Sequence, residues 1–395
     1  MKIKKKIMAA IHGKNYGNPT LDLNFAGNKS LVDSTTGTNY VTFSRAQSGN
    51  EATYVGSDGL IKYASADEAR FDHDPVTGEC LGLLIEESRT NLITDSSSAN
   101  NWNTLGGGTT AVSTSICPDG STDGTRVTAV ALNDGASKTF SAPTSGIHKG
   151  TYYARTRTGV SVDVKVAISG LTGPKVTLPA DGTWVRVEGP LNNLGAGSKY
   201  LSIRSDNASM DIDVWGLQAE LGEFQTSYIP TSGSTVTRAA DIANITGTNF
   251  SSWYNQSEGT IFTSVRTMVP KELSNGFFMF TDGTVSNRIE FHQAGSGDTV
   301  PRVQGLFRYL NSTTTQFLNR EEGWSTDGKD LDNWCLSFDN TGYTFKTKYD
   351  STPATGTGNY PQNLNNLSIG HKGTISRLSY YPKRLPDIEL QQLTK

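Results

Sequence analysis

The chain has 395 residues, a net charge of −3, 41 glycines and only 18% charged residues. Single cores stop growing beyond roughly 250–300 residues, so two or three folded units are expected. The charge balance excludes a global basic field for nucleic acid, and no apolar run reaches the ~20 residues of a membrane span, so neither nucleic-acid binding nor membrane insertion is expected.

Residues 1–20 form a basic arm carrying Lys2, Lys4, Lys5, Lys6 and Lys14. Its apolar part, Ile7 to Ile11, is shorter than the roughly 7–15 residues of a secretion signal, and an unprocessed product made in the cytoplasm is expected. The lysines read either as a solvated tail or as a docking arm for an acidic surface, with Ile3 and Ile7 permitting strand addition. Residues 21–90 carry short β-like stretches, among them Leu21 to Phe25, Tyr40 to Phe43, Thr53 to Val55, Leu60 to Tyr63 and Leu81 to Ile85. Turn chemistry at Ser57-Asp58-Gly59 and Asp74-Pro75 separates them. So small a set of hairpins needs something to pack on.

Residues 91–235 read as one β-sandwich. Val160 to Val166 alternates with period 2, the pattern of a half-buried strand, and Gly, Pro, Asp and Asn turns recur at near-regular intervals. Thr231 to Asp241 reads as a Ser/Thr/Gly-rich linker. Residues 242–395 give a further sandwich, including a hairpin from Trp334–Phe338 to Tyr343–Lys346. A short terminal helix is predicted from Pro386 to Leu393, with proline and acids in its first turn. The expected fold class is all-β: tandem antiparallel β-sandwiches, after a small β-rich attachment segment.

Glu86 and Glu87 are adjacent, so a strand would send them to opposite faces. Glu220 and Glu223 suit a turn as well as a site. His12, His73, His148, His292 and His371 lack paired ligand spacing, and no nucleophile elbow or phosphate loop is found. No catalytic centre is therefore expected. Cys80, Cys117 and Cys335 are an odd, widely spaced set that reads as reduced thiols. Asp72, Asp74 and Glu79 put carboxylates within eight residues, enough to start a calcium loop. The competing reading is an Asp-Pro turn whose carboxylates bond local backbone.

Sugars stack on aromatic faces while polar groups bond their hydroxyls. Trp102, Trp253, Tyr254 and Trp324 lie in polar, loop-like sequence and are the candidate glycan-binding residues. Trp184, Trp215 and Trp334 alternate with apolar neighbours and read as core.

Seven short motifs follow one another along the chain: Phe43-Ser44-Arg45-Ala46, Tyr54 to Leu60, Arg70-Phe71-Asp72-His73-Asp74-Pro75, Leu83 to Leu92, Trp215 to Glu220, Ser227 to Thr231, and Thr237 to Asp241. Together they resemble a family of bacteriophage virion proteins of the head-spike and tail-fibre type. Residues 91–235 resemble jelly-roll carbohydrate-binding modules, which often hold a structural calcium. The end of the chain resembles concanavalin-A-like (laminin-G-like) sandwiches. The resemblance implies a place on the virion surface, contact with tail, portal-adaptor or capsid proteins through the arm, host-surface glycan contact, and a homotrimer. It supplies no catalytic residue and no cofactor. A capsid decoration role and a glycan depolymerase are the alternatives.

Overall fold

The computed structural model describes residues 17–97, 100–206, 209–270, 273, 275–284, 286–294, 302–308, 315–320, 331–357, 360–370 and 372–395. Almost all regular structure in them is antiparallel strand. The helices are short: Phe25–Asn28, Thr248–Ser251 and Asp387–Leu393. The all-β class expected from the sequence is the class observed.

Residues 103–221 build a jelly roll of two five-stranded sheets. One runs Val185–Leu194, Gly146–Thr156, Met210–Leu221, Thr125–Ala129, Thr109–Val112. The other runs Leu171–Leu178, Val162–Ile168, Gly197–Ser205, Gly135–Ala142, Asn103–Leu105. The period-2 alternation does what its pattern requires: Val162, Val164, Val166 and Ile168 face the core with Leu201, Ile203, Ile212 and Val214. Strand Met210–Leu221 carries a bulge. Tyr153 pairs with Trp215 and Thr151 with Gln218, so two residues oppose one. Gly216 takes φ +64° there, a left-handed conformation suited to glycine. The extra residue shifts the inward set from Ile212 and Val214 to Leu217 and Ala219, and it leaves Trp215 outside the jelly-roll core.

The second sandwich has an eight-stranded sheet. Its order is Ala354–Gly356, Gly342–Thr347, Asp332–Asp339, Gly259–Thr267, Gly373–Tyr381, Cys80–Ile85, Arg70–His73, with Leu21–Leu23 also paired to Gly373–Tyr381. The facing seven-stranded sheet runs Thr42–Ser44, Ile242–Thr246, Asn366–Ile369, Asn275–Thr281, Arg288–Ala294, Arg302–Arg308, Thr315–Arg320. Leu21, Leu23, Phe25, Leu83 and Ile85 share its core with Phe277, Trp334, Phe345 and Tyr380. The terminal helix follows Pro386 and has Asp387 and Glu389 in its first turn, where the helix dipole favours acids.

The sheets divide the chain differently from the sequence pattern. Strands Leu21–Leu23, Thr42–Ser44, Arg70–His73 and Cys80–Ile85 complete the C-terminal sandwich, while Ala52–Val55 and Ile61–Ala64 form a hairpin of their own. Leu21 pairs with Tyr380, and Ile85 with Gly373. Short strands cannot bury two faces by themselves, and these bury theirs against strand Gly373–Tyr381. The jelly roll is thus an insertion within the second sandwich. Residues 231–241 are not a free linker either, because Val236–Arg238 pairs with Arg89–Asn91, joining the way in to the way out.

Burying Leu21, Leu23 and Phe25 is worth roughly 1.5–3 kcal/mol each, and their sum rivals the ~5–15 kcal/mol that holds a domain together. Residues 91–235 expressed alone are expected to melt cooperatively, whereas 242–395 alone are expected to stay unfolded until residues 17–90 are supplied. Cooperative melting of 242–395 by itself, followed by circular dichroism, would contradict this division.

Candidate functional site

The motifs that dominate the sequence come together in space. Arg45 follows strand Thr42–Ser44, Arg70 opens Arg70–His73, Glu86 follows Cys80–Ile85, Arg238 closes Val236–Arg238 and Asp241 precedes Ile242–Thr246. None of the five side chains is more than 3% exposed. Asp241 takes Arg45 Nη1 at 2.9 Å on Oδ1, and Arg70 Nη2 at 2.5 Å with the Glu86 backbone N–H at 2.8 Å on Oδ2. Glu86 Oε2 takes Arg70 Nη1 at 2.7 Å and Arg238 Nη1 at 2.9 Å. The Ser227 hydroxyl and backbone N–H both donate to the same carboxylate, at 2.7 and 2.6 Å.

Three guanidiniums thus meet two carboxylates, and backbone carbonyls take part of the excess of donors, while Arg70 Nε and Arg238 Nε are buried without a partner among the described residues. Arg45 donates to Ser65 O and Glu68 O, Arg70 to Thr53 O and Arg238 to Glu87 O. Burial disfavours the Glu86 carboxylate, but Arg238 and Arg70 outweigh it and bring its pKa down to about 2. With no exposed face, this cluster binds nothing from solvent. It is the junction of the sandwiches.

Neighbouring motif residues tie residues 225–231 to the jelly roll. The Asn91 amide uses both ends, donating to Leu217 O and Ile229 O and accepting from Ile93 and Ala219 N–H. Gln218 Oε1 accepts from Ile229 N–H at 2.7 Å, and Glu220 takes both the hydroxyl and the N–H of Thr226. The bulge at Gly216 is what turns Gln218 and Glu220 outward to reach this segment.

A hairpin of strands Ala52–Val55 and Ile61–Ala64 leans on the jelly roll from the other sandwich's side of the chain. Ile61, Cys117, Trp215 and Tyr228 form a small core between them. Above it opens a cleft of about 240 Å³, lined chiefly by Tyr63, Ser97, Asp119, Asp123, Trp215 and Tyr228. Tyr63 is 39% exposed, while Trp215 and Tyr228 are covered, with ring centroids 4.4 Å apart. The Tyr63 hydroxyl donates to Asp119 Oδ2 at 2.7 Å. Asp123 Oδ1 accepts from Ser121 at 2.6 Å and Trp215 Nε1 at 3.0 Å, and Oδ2 accepts from Ser97 at 2.6 Å. Partial burial opposes ionisation of Asp123, but the Ser121, Ser97 and Trp215 hydrogen bonds prevail and hold its pKa below the usual carboxylate value. The Tyr63 phenol is pushed up, first by burial and then by the Asp119 carboxylate.

This cleft was not among the sites expected from the sequence. Trp215 read as a core residue, and Tyr63 as an ordinary strand residue. The signal available was the bulge-forming Trp-Gly pair, which indicates that Trp215 leaves the sheet's inward set.

The expected aromatic sites fall elsewhere. Trp253 and Tyr254 are 4% and 8% exposed, packed in one aromatic cluster with Phe250, Phe280 and Tyr380. Their polar neighbours misled because they satisfy backbone: Asn255 donates to Pro382 O, and Gln256 bonds both Leu364 O and Leu364 N–H. Neither ring is a platform for sugar. Trp102 is half-buried against the jelly-roll core, with the Lys138 ammonium 5.3 Å from its ring. Trp324 and the arm lysines Lys2, Lys4, Lys5, Lys6 and Lys14 lie outside the described residues.

Asp72, Asp74 and Glu79 are not gathered into a metal site. Asp72 Oδ1 accepts from Val55 N–H at 2.7 Å, and burial raises its carboxyl to about 6. Asp74 Oδ1 caps the turn by accepting from Val76 and Thr77 N–H, while Glu79 is exposed. Among the described residues no group of three or more His, Cys, Asp or Glu side chains could hold a metal. Cys80, Cys117 and Cys335 are free thiols.

No family model matches the chain, and no curated protein matches it. Among solved structures, the chain is similar to the CBM40 of the Ruminococcus gnavus IT-sialidase, with 16% identity, a TM-score of 0.30, and coverage of 37% of this chain and 88% of that one. It is also similar to the CBM22-1-CBM22-2 tandem domain of Paenibacillus barcinonensis Xyn10C, with 10% identity, a TM-score of 0.27, and coverage of 74% and 96%. A third is the K499G mutant of NanB sialidase from Streptococcus pneumoniae, with 13% identity, a TM-score of 0.32, and coverage of 38% and 26%. Likenesses of this size bear on neither site nor ligand.

Removing one partner of a buried charge cluster costs about 3–5 kcal/mol, so Glu86→Gln is expected to lower stability by that order at pH 7. The folded pKa of Glu86 lies below its ordinary 4.5. Its contribution is therefore complete above about pH 4.5 and lost as pH falls toward about 2, by on the order of 3 kcal/mol. Urea midpoints from pH 7 to 3 should fall in the native protein and fall less in Glu86→Gln. Parallel acid limbs would show that Glu86 is not held in this way.

Proposed function

We propose that the chain is a non-catalytic glycan-recognition protein carried on a phage particle as a fibre or spike. The observation that carries the recognition is the cleft: an exposed tyrosine ring set beside two carboxylates that accept hydrogen bonds. Sugars are bound by such pairings of an apolar face with fixed polar groups. The particle location rests on the ordered motifs alone, and the basic arm of residues 1–20, whose five lysines all fall within residues 1–16, is the segment proposed to reach virion proteins.

Binding is favoured over hydrolysis by the state of the carboxylates. A glycosidase needs one carboxylic acid with a raised pKa to protonate the leaving oxygen. Asp123 is shifted the other way, and three donors occupy it. Asp72 is raised, but it does not line the cleft, and its Oδ1 is taken by Val55. One stacked ring contributes only about 1 kcal/mol, so retention on a surface depends on several copies acting together. A homotrimer meets that need.

A glycan array probed with the full chain should show weak retention that Tyr63→Ala reduces about fivefold per site with Tm unchanged, since that ring is partly exposed. No retention of any glycan, or retention indifferent to Tyr63, would overturn the recognition role. Reducing ends released from the retained glycan would overturn its non-catalytic character. For the particle role, immunogold labelling of phage particles should decorate tails or heads, and a chain lacking residues 1–16 should fold yet leave them bare. Unlabelled particles, or full incorporation of the truncated chain, would count against it.

A further inference from the structure

The hydrogen-bond inventory of the cleft restricts what it can take. Most of its donors are committed: Tyr63 Oη to Asp119, Ser97 and Ser121 Oγ with Trp215 Nε1 to Asp123, Thr231 Oγ1 to Ile93 O, and Tyr228 Oη paired with Ser96 Oγ at 2.5 Å; the exposed Ser232 hydroxyl at the rim has no hydrogen bond among the described residues. Acceptor capacity remains. A carboxylate oxygen offers about two lone-pair sites. Among the described residues, Asp119 Oδ1 accepts only from the Ser121 N–H and Oδ2 only from Tyr63, while Asp123 Oδ2 accepts only from Ser97. None of the described residues lining the cleft is Lys or Arg.

We infer that the cleft selects donor-rich, uncharged or amino sugars and rejects sugars bearing a carboxylate, sulfate or phosphate. This rests on the glycan reading of the same cleft. A hydroxylated ring supplies the donors that the free acceptor sites lack, and an ammonium supplies a charge-assisted donor. An anion brings acceptors to acceptors and sets like charges together at short range, with no cation to offset them. Size restricts the ligand further. Sites for drug-sized ligands run to ~300–1,000 Å³, so about 240 Å³ admits one ring in place of a chain. Recognition therefore falls on a terminal or side-branch residue of a surface polysaccharide, with Tyr63 under its apolar face.

The test varies charge on a constant ring. Glucose, glucosamine and glucuronic acid, and the matching galactose set, are titrated into the full chain at pH 7 and followed by saturation-transfer and chemical-shift changes. The neutral and amino sugars are expected to bind with shifts at Tyr63 and Trp215, and the uronic acids at least tenfold more weakly. Asp119→Asn is expected to shrink that ratio, with Tm checked alongside. Uronic acids binding as tightly as the neutral sugars would overturn the charge selection while leaving the glycan site standing. Failure of every sugar to shift the cleft residues would overturn both.

Discussion

Five ionised side chains with almost no access to water fix the position of everything else in this molecule. Glu86 and Asp241 stand between Arg45, Arg70 and Arg238 where the chain leaves one sandwich for the other and returns. Isolated buried charges are prohibitive, and pairs are tolerated only when geometry and hydrogen bonds are close to complete. Here the charges come from four stretches of sequence, with Arg238 and Asp241 sharing one, and each depends on the others being in register. A cluster of this kind specifies an arrangement more than it adds net stability. It determines that strands 70–73 and 80–85, the return strand 236–238 and the start of strand 242–246 meet at one point.

The cleft depends on that junction indirectly. Arg70 donates to Thr53 O, while the Thr53 hydroxyl donates to Tyr228 O at 2.5 Å. The hairpin that presents Tyr63 is thus tied both to the charge cluster and to the jelly-roll segment that forms the opposite wall. Ile61 seals the contact against Cys117, Trp215 and Tyr228. The site is composite, with one wall from the separate hairpin of residues 52–64 and the other from the inserted jelly roll, so neither unit alone reproduces it.

Much of the fold was legible in the sequence. The valine alternation at 162–166, the Asp339–Gly342 turn and the acid-rich start of the last helix each report a local rule that the tertiary structure leaves in force. The division into units was not legible, because strand pairing such as Leu21 with Tyr380 spans almost the whole chain and leaves no periodic trace. The motifs contain Arg45, Arg70, Glu86, Arg238 and Asp241. Their residue types alone do not distinguish a buried ion cluster from a surface site. Trp253 and Tyr254 were misplaced for a related reason: polar side chains beside them serve buried backbone, so polar sequence there does not mean exposure. Tyr63 and Asp119 lie far apart in sequence, and only the hairpin's packing makes them a pair.

The proposed sugar site is the cleft between the hairpin and the jelly roll. A crystal structure of the full chain soaked with a methyl hexoside tests it most directly. The ring should lie against Tyr63, with hydroxyls within hydrogen-bond distance of Asp119 and Asp123. A sugar ordered on another face of the jelly roll, such as beside Trp102, with the cleft empty in the same crystal, would contradict it.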